Sequence, residues 1–258
     1  MRLDPAAAAA GFRLLAHDTL PSTNTEALAL ARRGETEPLW VTARQQTAGR
    51  GRRGNAWISV PGNFYATLLL CDPVASENAP ELSFVAALAV HDAIVDRAAA
   101  LREKLALKWP NDVLCGSAKL AGILIESESV EAKLAVAIGI GVNCMHHPAD
   151  TAYPATDLAT VGAAVSAEDL FFALSGAMAR RLAQWQQGAG FQSIRADWLD
   201  RAAGIGGEMR VRLPKNREFV GRAEALDERG RLLLRLADGT LQTITAGDVF
   251  PVAANGQN

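Results

Sequence analysis

The sequence reads as an α+β protein in two parts: a larger domain of interleaved helices and strands over residues 1–205, and a small all-strand domain over 206–258. Two features lead to that reading. Apolar residues recur at i, i+3 and i+4 in separate stretches, as at Leu82, Val85, Ala86, Ala89, Val90, Ala93 and Ile94, and short apolar runs of strand type stand between those stretches. After Gly204-Ile205-Gly206-Gly207, which reads as a linker, the helical period stops and only short strand-like segments with tight turns remain.

Composition sets further bounds. With 258 residues, 49% hydrophobic and 21% charged, the chain has the make-up of an ordinary globular protein. The formal net charge of −2 and a pI near 6.1 argue against a surface coated for nucleic acid, and the basic residues at 50–53 are local. Cys71, Cys115 and Cys144 are far apart with no Cys-x-x-Cys. They read as reduced thiols of a cytoplasmic protein, neither a disulfide frame nor a zinc site. His146 and His147 are adjacent and so point apart, which leaves no metal site made of protein ligands alone. No apolar run approaches the ~18 residues that cross a bilayer. The alanine-rich opening is too short and too weakly apolar for a secretory signal and reads as a frayed end.

In chain order, Phe12–His17 suits a first strand. Pro21 breaks it, and Ser22-Thr23-Asn24-Thr25-Glu26 opens a helix, with Thr23 and Glu26 spaced as a capping box whose hydroxyl and carboxylate satisfy orphan amides. Ala27, Leu28, Leu30 and Ala31 form the apolar stripe, and Gly34 ends the helix. A helix start gathers amides and small polar groups, so it can also grip a polar ligand. Strand-like runs follow at 39–43 and 64–70, then a long helix from Pro80 whose His91 is an ordinary face residue. Leu105 to Trp109 is a strand that turns through Pro110-Asn111-Asp112, resumes at Val113-Leu114-Cys115, turns again at Gly116-Ser117 and returns as Lys119–Glu126. Lys133–Ile140 forms a third strand. Antiparallel neighbours of this kind set Lys108, Asp112, Lys119 and Asn143 at one region of a sheet. Residues 148–167 read as loop, and two helices follow over 167–187 and 191–202. Strand candidates at 208–213, 218–226, 231–236 and 240–245, with Asp238-Gly239 as a hairpin turn, make a small β-barrel that is chiefly structural.

The most distinctive stretch has no period at all. Gln45 to Trp57 holds three arginines and three glycines among thirteen residues. Glycine lets a backbone bend tightly or approach a ligand closely, and arginine is a permanent fork for carboxylate and phosphate oxygens. Held between two strands, such a loop is suited to close over an anion. Taken alone it reads equally well as a solvated surface loop or an electrostatic patch for nucleic acid.

Five blocks in order shift that balance: Ser22-Thr23-Asn24; Gln46-Thr-Ala-Gly-Arg-Gly-Arg-Arg-Gly-Asn-Ala-Trp57; Lys108-Trp-Pro-Asn-Asp-Val113; Lys119-Leu-Ala-Gly-Ile-Leu-Ile-Glu126; and Gly139-Ile-Gly-Val-Asn143. Together they resemble the biotin–protein ligase family, over roughly residues 12–250. The resemblance implies an α+β catalytic domain built on a mixed β-sheet flanked by helices, the class II aminoacyl-tRNA synthetase-like or biotin–lipoyl ligase fold, with a small C-terminal SH3-like β-barrel. It also implies two half-reactions. Biotin and ATP with Mg2+ give biotinyl-5′-AMP and pyrophosphate, and biotin then passes to one lysine of the biotin carboxyl carrier protein of acetyl-CoA carboxylase or a related carboxylase.

By the same resemblance, Ser22, Thr23, Asn24 and Gln46 meet the biotin head group, where a neutral ureido ring needs hydrogen bonds and not charge. Arg50, Gly51 and Arg52 lie on the loop that folds over biotin and its adenylate, with Arg52 an exposed loop residue. Lys119 faces the carboxylate and the attacked phosphate. Lys108, Asn143, Trp57 and Arg53 serve the nucleotide, and Asp112 orients the lysine nucleophile or meets Mg2+. Lys119, Arg52 and Asp112 are thus the expected catalytic residues. For Trp57, packing on the adenylate and plain core packing both stand.

Two departures from the family pattern matter. Asn55 stands where relatives often carry a further basic residue. Only twenty-one residues precede Ser22, too few for the helix-turn-helix domain with which some relatives repress transcription. The expectation is a ligase without repressor activity or a nucleic-acid partner. A homodimer is compatible with the sequence. A lipoate ligase shares the fold and the adenylating logic, but this Arg/Gly loop is spaced as in the biotin enzymes. A P-loop NTPase is excluded by the absence of Gly-Lys-Ser/Thr.

Overall fold

The computed structural model describes residues 1–149, 151, 153–214 and 217–252; positions 150 and 152 of the expected loop, and 215–216 and 253–258 of the expected second domain, lie outside the described residues. The chain does not begin as a frayed end. A short helix α1 (Pro5–Ala9) is capped by Asp4, whose carboxylate accepts from the Ala6 N–H at 2.8 Å. The Asp4 N–H in turn donates to Ser175 Oγ at 2.9 Å, Ala7 is fully buried, and the Arg2 guanidinium lies 4.6 Å from the Phe172 ring centroid. A single helical turn cannot stand alone in water; docking on a longer helix is what orders it.

Next come β1 (Arg13–Leu20), α2 (Thr23–Arg32), β2 (Leu39–Gln46), β3 (Phe64–Cys71), α3 (Leu82–Arg97), β4 (Leu105–Lys108), β5 (Asp112–Cys115), β6 (Ala118–Val130) and β7 (Lys133–Val142). The seven strands form one sheet in the order β1-β2-β3-β7-β6-β5-β4. β1 and β2 are parallel, joined by the crossover helix α2, and all other neighbours are antiparallel. The sheet is therefore mixed. Helices α4 (Ala167–Trp185) and α5 (Phe191–Leu199) follow.

Strand periodicity assigns the faces. Val136, Ile138, Ile140 and Val142 of β7 join the large core with α3 and α4, while Ala135 and Ala137 pack with Ala27, Leu28 and Ala31 of α2. Alternate side chains of a strand point to opposite faces, so α2 covers one side of the sheet and the α3–α4 pair the other. On the latter side, fully buried Phe171 of α4 stands edge-on to Trp40 at 5.5 Å and beside Phe64 at 6.2 Å.

The chain ends in β8 (Glu208–Arg212), β9 (Glu218–Leu226), β10 (Leu232–Leu236), β11 (Leu241–Ile244) and β12 (Asp248–Pro251). They form an antiparallel SH3-like sheet in the order β11-β10-β9-β8-β12. β12 carries no clear strand signal; its four residues include a proline, and pairing with β8 is what defines it. This unit is not structural for itself alone. Met209, Val211, Leu226, Leu232 and Leu234 belong to the same contiguous core as the large sheet. Trp109 Nε1 donates to the Gly230 carbonyl at 3.0 Å, and Arg195 to that of Leu226 at 3.0 Å. Among the described residues, no helix is long and apolar enough to cross a membrane.

Replacing Phe171 with Ala removes a ring enclosed by two others and should cost about 3–5 kcal/mol of stability. Urea unfolding should show a lower midpoint at unchanged slope. A loss below about 1 kcal/mol would mean that the space collapses around Trp40 and Phe64.

Candidate functional site

On the α2 side of the sheet, the inward positions of β7 run Ala135, Ala137, Gly139, Gly141, and β6 sets Leu124 opposite Gly139 and Gly122 opposite Gly141. Methyl groups fill the gap where α2 packs; beyond the start of α2 the floor is bare backbone. Side chains from elsewhere descend onto it. A Cβ on Gly141 would lie 2.5 Å from Trp57 Cε2, and one on Gly122 would lie 3.0 Å from Trp57 Cζ3 and 3.1 Å from Lys119 Nζ. A Cβ on Gly139 would collide with Asn24 Oδ1. Over this floor opens a cavity of about 460 Å³, within the range that takes small molecules. Of the expected site residues, all but Arg53 line it.

One end of the cavity is neutral. Ser22, not Thr23, caps α2, its Oγ accepting from the Thr25 N–H at 3.4 Å. The expected capping box is thus wrong by one residue, and Glu26 pairs with Arg33 instead. The shift leaves Thr23 free to face the cavity. Gln46 Oε1 accepts from the Thr23 N–H at 2.8 Å and hydroxyl at 3.1 Å, and Gln46 Nε2 donates to Ser59 Oγ at 3.0 Å. Asn24 Oδ1 accepts from buried Thr67 Oγ1 at 2.6 Å, and its Nδ2 donates to Glu126 Oε2 at 2.8 Å. Each amide is held by bonds on both sides, which fixes the orientation of the dipoles that face inward. Ser59, Thr67 and Glu126 were not singled out from sequence; Glu126 stood at the end of a recognised block, whereas Ser59 and Thr67 gave no signal.

The other end is charged. The β4–β5 pairing sets Lys108 opposite Asp112, with Nζ 3.4 Å from Oδ2. By simple alternation from Gly122, Lys119 would point to the opposite face. A register shift pairs Ala121 with Val113 but Lys119 with Leu114, and such a bulge re-aims the side chain toward the floor. Lys119 Nζ lies 2.6 Å from Asp112 Oδ1. Each oxygen of the Asp112 carboxylate thus faces one ammonium. Lys119 Nζ also stands 5.4 Å from the Trp57 ring centroid. Lys108 is buried, and burial pushes its pKa down; Asp112 opposes the shift and Lys119 adds to it. The Tyr153 ring lies 3.8 Å from Lys108 Nζ and that of Phe250 5.8 Å away. Asn143 lines the cavity while its Nδ2 donates to the Thr156 carbonyl at 3.0 Å, tying the segment between β7 and α4 to the end of β7.

The Arg/Gly loop roofs the cavity. Arg50 donates to Thr25 Oγ1 at 2.8 Å and to both Glu126 oxygens at 2.9 and 3.0 Å. Arg52 is not the exposed residue expected. Half-buried, it donates through Nη1 to Asn111 Oδ1 at 3.1 Å and to the Gly247 carbonyl at 3.3 Å. Burial lowers its pKa, while the Asp248 carboxylate counters that shift. Arg53 turns away from the cavity to Asp248 Oδ2 at 2.6 Å and the Arg212 carbonyl at 3.2 Å. The lining sets four cations (Arg50, Arg52, Lys108, Lys119) against two carboxylates, Asp112 and Asp248. That excess favours an anionic ligand. Among the described residues no group of three or more His, Cys, Asp or Glu could hold a metal.

The model of the Biotin/lipoate A/B protein ligase family matches residues 17–143, and that of the Biotin protein ligase C terminal domain residues 204–250. The chain is 44% identical to the biotin--[acetyl-CoA-carboxylase] ligase of Paracoccus denitrificans over 89% of its own length and 96% of that protein. It is 35% identical to the enzyme of the same name from Mycobacterium tuberculosis, over 88% of this chain and 85% of that protein. Among solved structures it is similar to the biotin protein ligase from Aquifex aeolicus in complex with biotin and ATP, with a TM-score of 0.76 and 25% identity over 92% of this chain and 97% of that one.

Gly141→Ala should drive the Trp57 indole off the floor, because the new methyl has no space beneath it. The Trp57 emission, isolated by subtracting the spectrum of Trp57→Phe, should shift to the red and quench more readily with acrylamide. An unchanged spectrum would show that the indole does not rest on Gly141.

Proposed function

The chain belongs to the biotin/lipoate A/B protein ligase family, and from that premise we propose that it is a biotin–protein ligase, adenylating biotin with ATP and passing the biotinyl group to a lysine of a carrier protein. The observation that carries this reading is the polarity of one cavity: neutral hydrogen-bonding groups at one end, cations in excess of the carboxylates Asp112 and Asp248 at the other, a glycine floor between them and an arginine roof above.

Each part matches a part of the chemistry. A ureido ring offers N–H and C=O groups without net charge, and Ser22, Thr23, Asn24 and Gln46 answer with hydroxyls and amides. The apolar ring and tail lie on the glycine floor beside Trp57. At the charged end, a biotin carboxylate oxygen attacks the α-phosphorus of ATP, the bond to pyrophosphate breaks, and negative charge moves onto the departing oxygen. Lys119 and Arg52 stabilise that charge in a site partly closed to water, where fixed charges act strongly. In the second half-reaction the neutral amine of the carrier lysine attacks the acyl carbon and AMP departs. Asp112 is the carboxylate at this end that orients the amine and takes its proton. Mg2+, which accompanies ATP, would offset phosphate charge at this end, and Asp112, whose two oxygens face Lys119 and Lys108, would meet it by exchanging one of those partners. Lys108 and Asn143 serve the nucleotide. The similar ligases named for acetyl-CoA carboxylase support its carrier domain as the acceptor, and the use of ATP supports a cytoplasmic setting.

Incubation with biotin, MgATP and a biotin carboxyl carrier domain should add one biotinyl mass to the carrier. Activity with lipoate and none with biotin would overturn the reading in favour of the other branch of the family. Lys119→Gln should slow adenylation by roughly 2–4 kcal/mol of activation free energy, the scale of one preorganised donor. Biotin affinity should change less, and transfer from synthetic biotinyl-5′-AMP less still. Single-turnover measurement of both half-reactions decides this; equal losses in both would make Lys119 structural or a transfer-step residue.

A further inference from the structure

Asp248 belongs to the small sheet, far in sequence from every block that marks the site, yet it stands on the cavity lining. Among the described residues its one salt-bridge partner is Arg53 of the roof loop, at 2.6 Å. The residue before it, Gly247, accepts from Arg52 through its carbonyl at 3.3 Å. Adjacent residues of one strand end thus hold adjacent arginines of the loop. We propose that Asp248 is a positioning residue for the reaction: by holding Arg53 it keeps the roof loop closed and so sets Arg52 over the adenylate. This inference rests on the ligase reading above.

Three observations support it. The anchor is rigid: Asp248 pairs with Arg212 across β12 and β8, and a Cβ on Gly247 would lie 2.9 Å from Val211 Cγ1 and 3.2 Å from Leu213 Cδ2, so the turn has no room to shift. The loop needs holding: Arg53 has φ of 57°, a left-handed conformation that a side chain disfavours, and it places a second positive charge next in sequence to Arg52, which it repels. One carboxylate relieves that repulsion. The pair is also weak enough to open. Its side chains are 28% and 38% exposed, so salt screens it, and the loop is held shut without being locked against entry of substrate. Asp248 touches no reacting atom; it acts through Arg53.

The test uses the full chain loaded with biotin, MgATP and pyrophosphatase, followed by a chase that reads release of labelled biotinyl-5′-AMP. Asp248→Asn should release it roughly two- to fivefold faster, the range open to one partly exposed ion pair. Arg53→Gln should do the same, and the double variant should be no worse than either single one. Wild-type release should accelerate with KCl, whereas release from the variants should respond much less. Biotin affinity should change less than adenylate release, because the head-group residues lie at the other end. Asp248→Glu should restore slow release. If wild type forms no adenylate, the ligase reading fails. If wild type forms it and Asp248→Asn releases it at the wild-type rate, or faster with the salt response intact, the positioning role fails. Should Asp248→Asn melt early, the wild-type salt response and Arg53→Gln decide by the same criteria.

Discussion

Along the inward face of β7 the sequence alanine, alanine, glycine, glycine at 135, 137, 139 and 141 decides where a ligand can lie. The two methyl groups meet α2 and close the sheet against the helix. The two hydrogens, with Gly122 opposite Gly141, leave a strip of backbone that packs against nothing of its own. Asn24, Trp57 and Lys119 occupy the space a Cβ would have taken. Everything else at the site is arranged relative to that strip. The start of α2 ends above it, the β5–β6 bulge turns a lysine toward it, and the roof loop spans it.

The charged end is organised by shared counter-ions. Burying a cation costs free energy unless an anion or an acceptor goes with it, and each cation of the site has one. Arg50 has Glu126, Lys108 and Lys119 share Asp112, Arg53 has Asp248, and Arg52 has the Asn111 and Gly247 oxygens. Sharing leaves the cavity with more positive than negative groups on its lining. An arriving phosphate or carboxylate therefore completes a partly neutralised cluster and does not meet naked charge. Burial, which Asp112 offsets and Lys119 reinforces, holds the pKa of Lys108 below the usual lysine range. The two sheets complete the site together: the small one continues the core of the large one and lends Asp248 and Phe250 to the cavity lining.

Much of this was determined by the sequence alone. Helices at 82–94 and 167–185, the hairpins, and the all-strand end follow from local periodicity and turn chemistry, which act over a few residues and so can be read in one dimension. The strand pattern alone put Lys108, Asp112, Lys119 and Asn143 at one region of a sheet, and the family resemblance of the five blocks named the other expected residues that line the cavity. Tertiary structure decided the rest. Ser22 displaced Thr23 as the cap because the hydroxyl of Thr23 found Gln46 across the sheet. Lys119 faces the floor because of a bulge that strand pairing creates. The first residues are ordered because a helix from the middle of the chain receives them. Arg52 is half-buried, and Asp248 stands beside its loop, because a sheet some two hundred residues further along the chain packs against the roof. In each case the deciding partner is distant in sequence, and only packing brings it near.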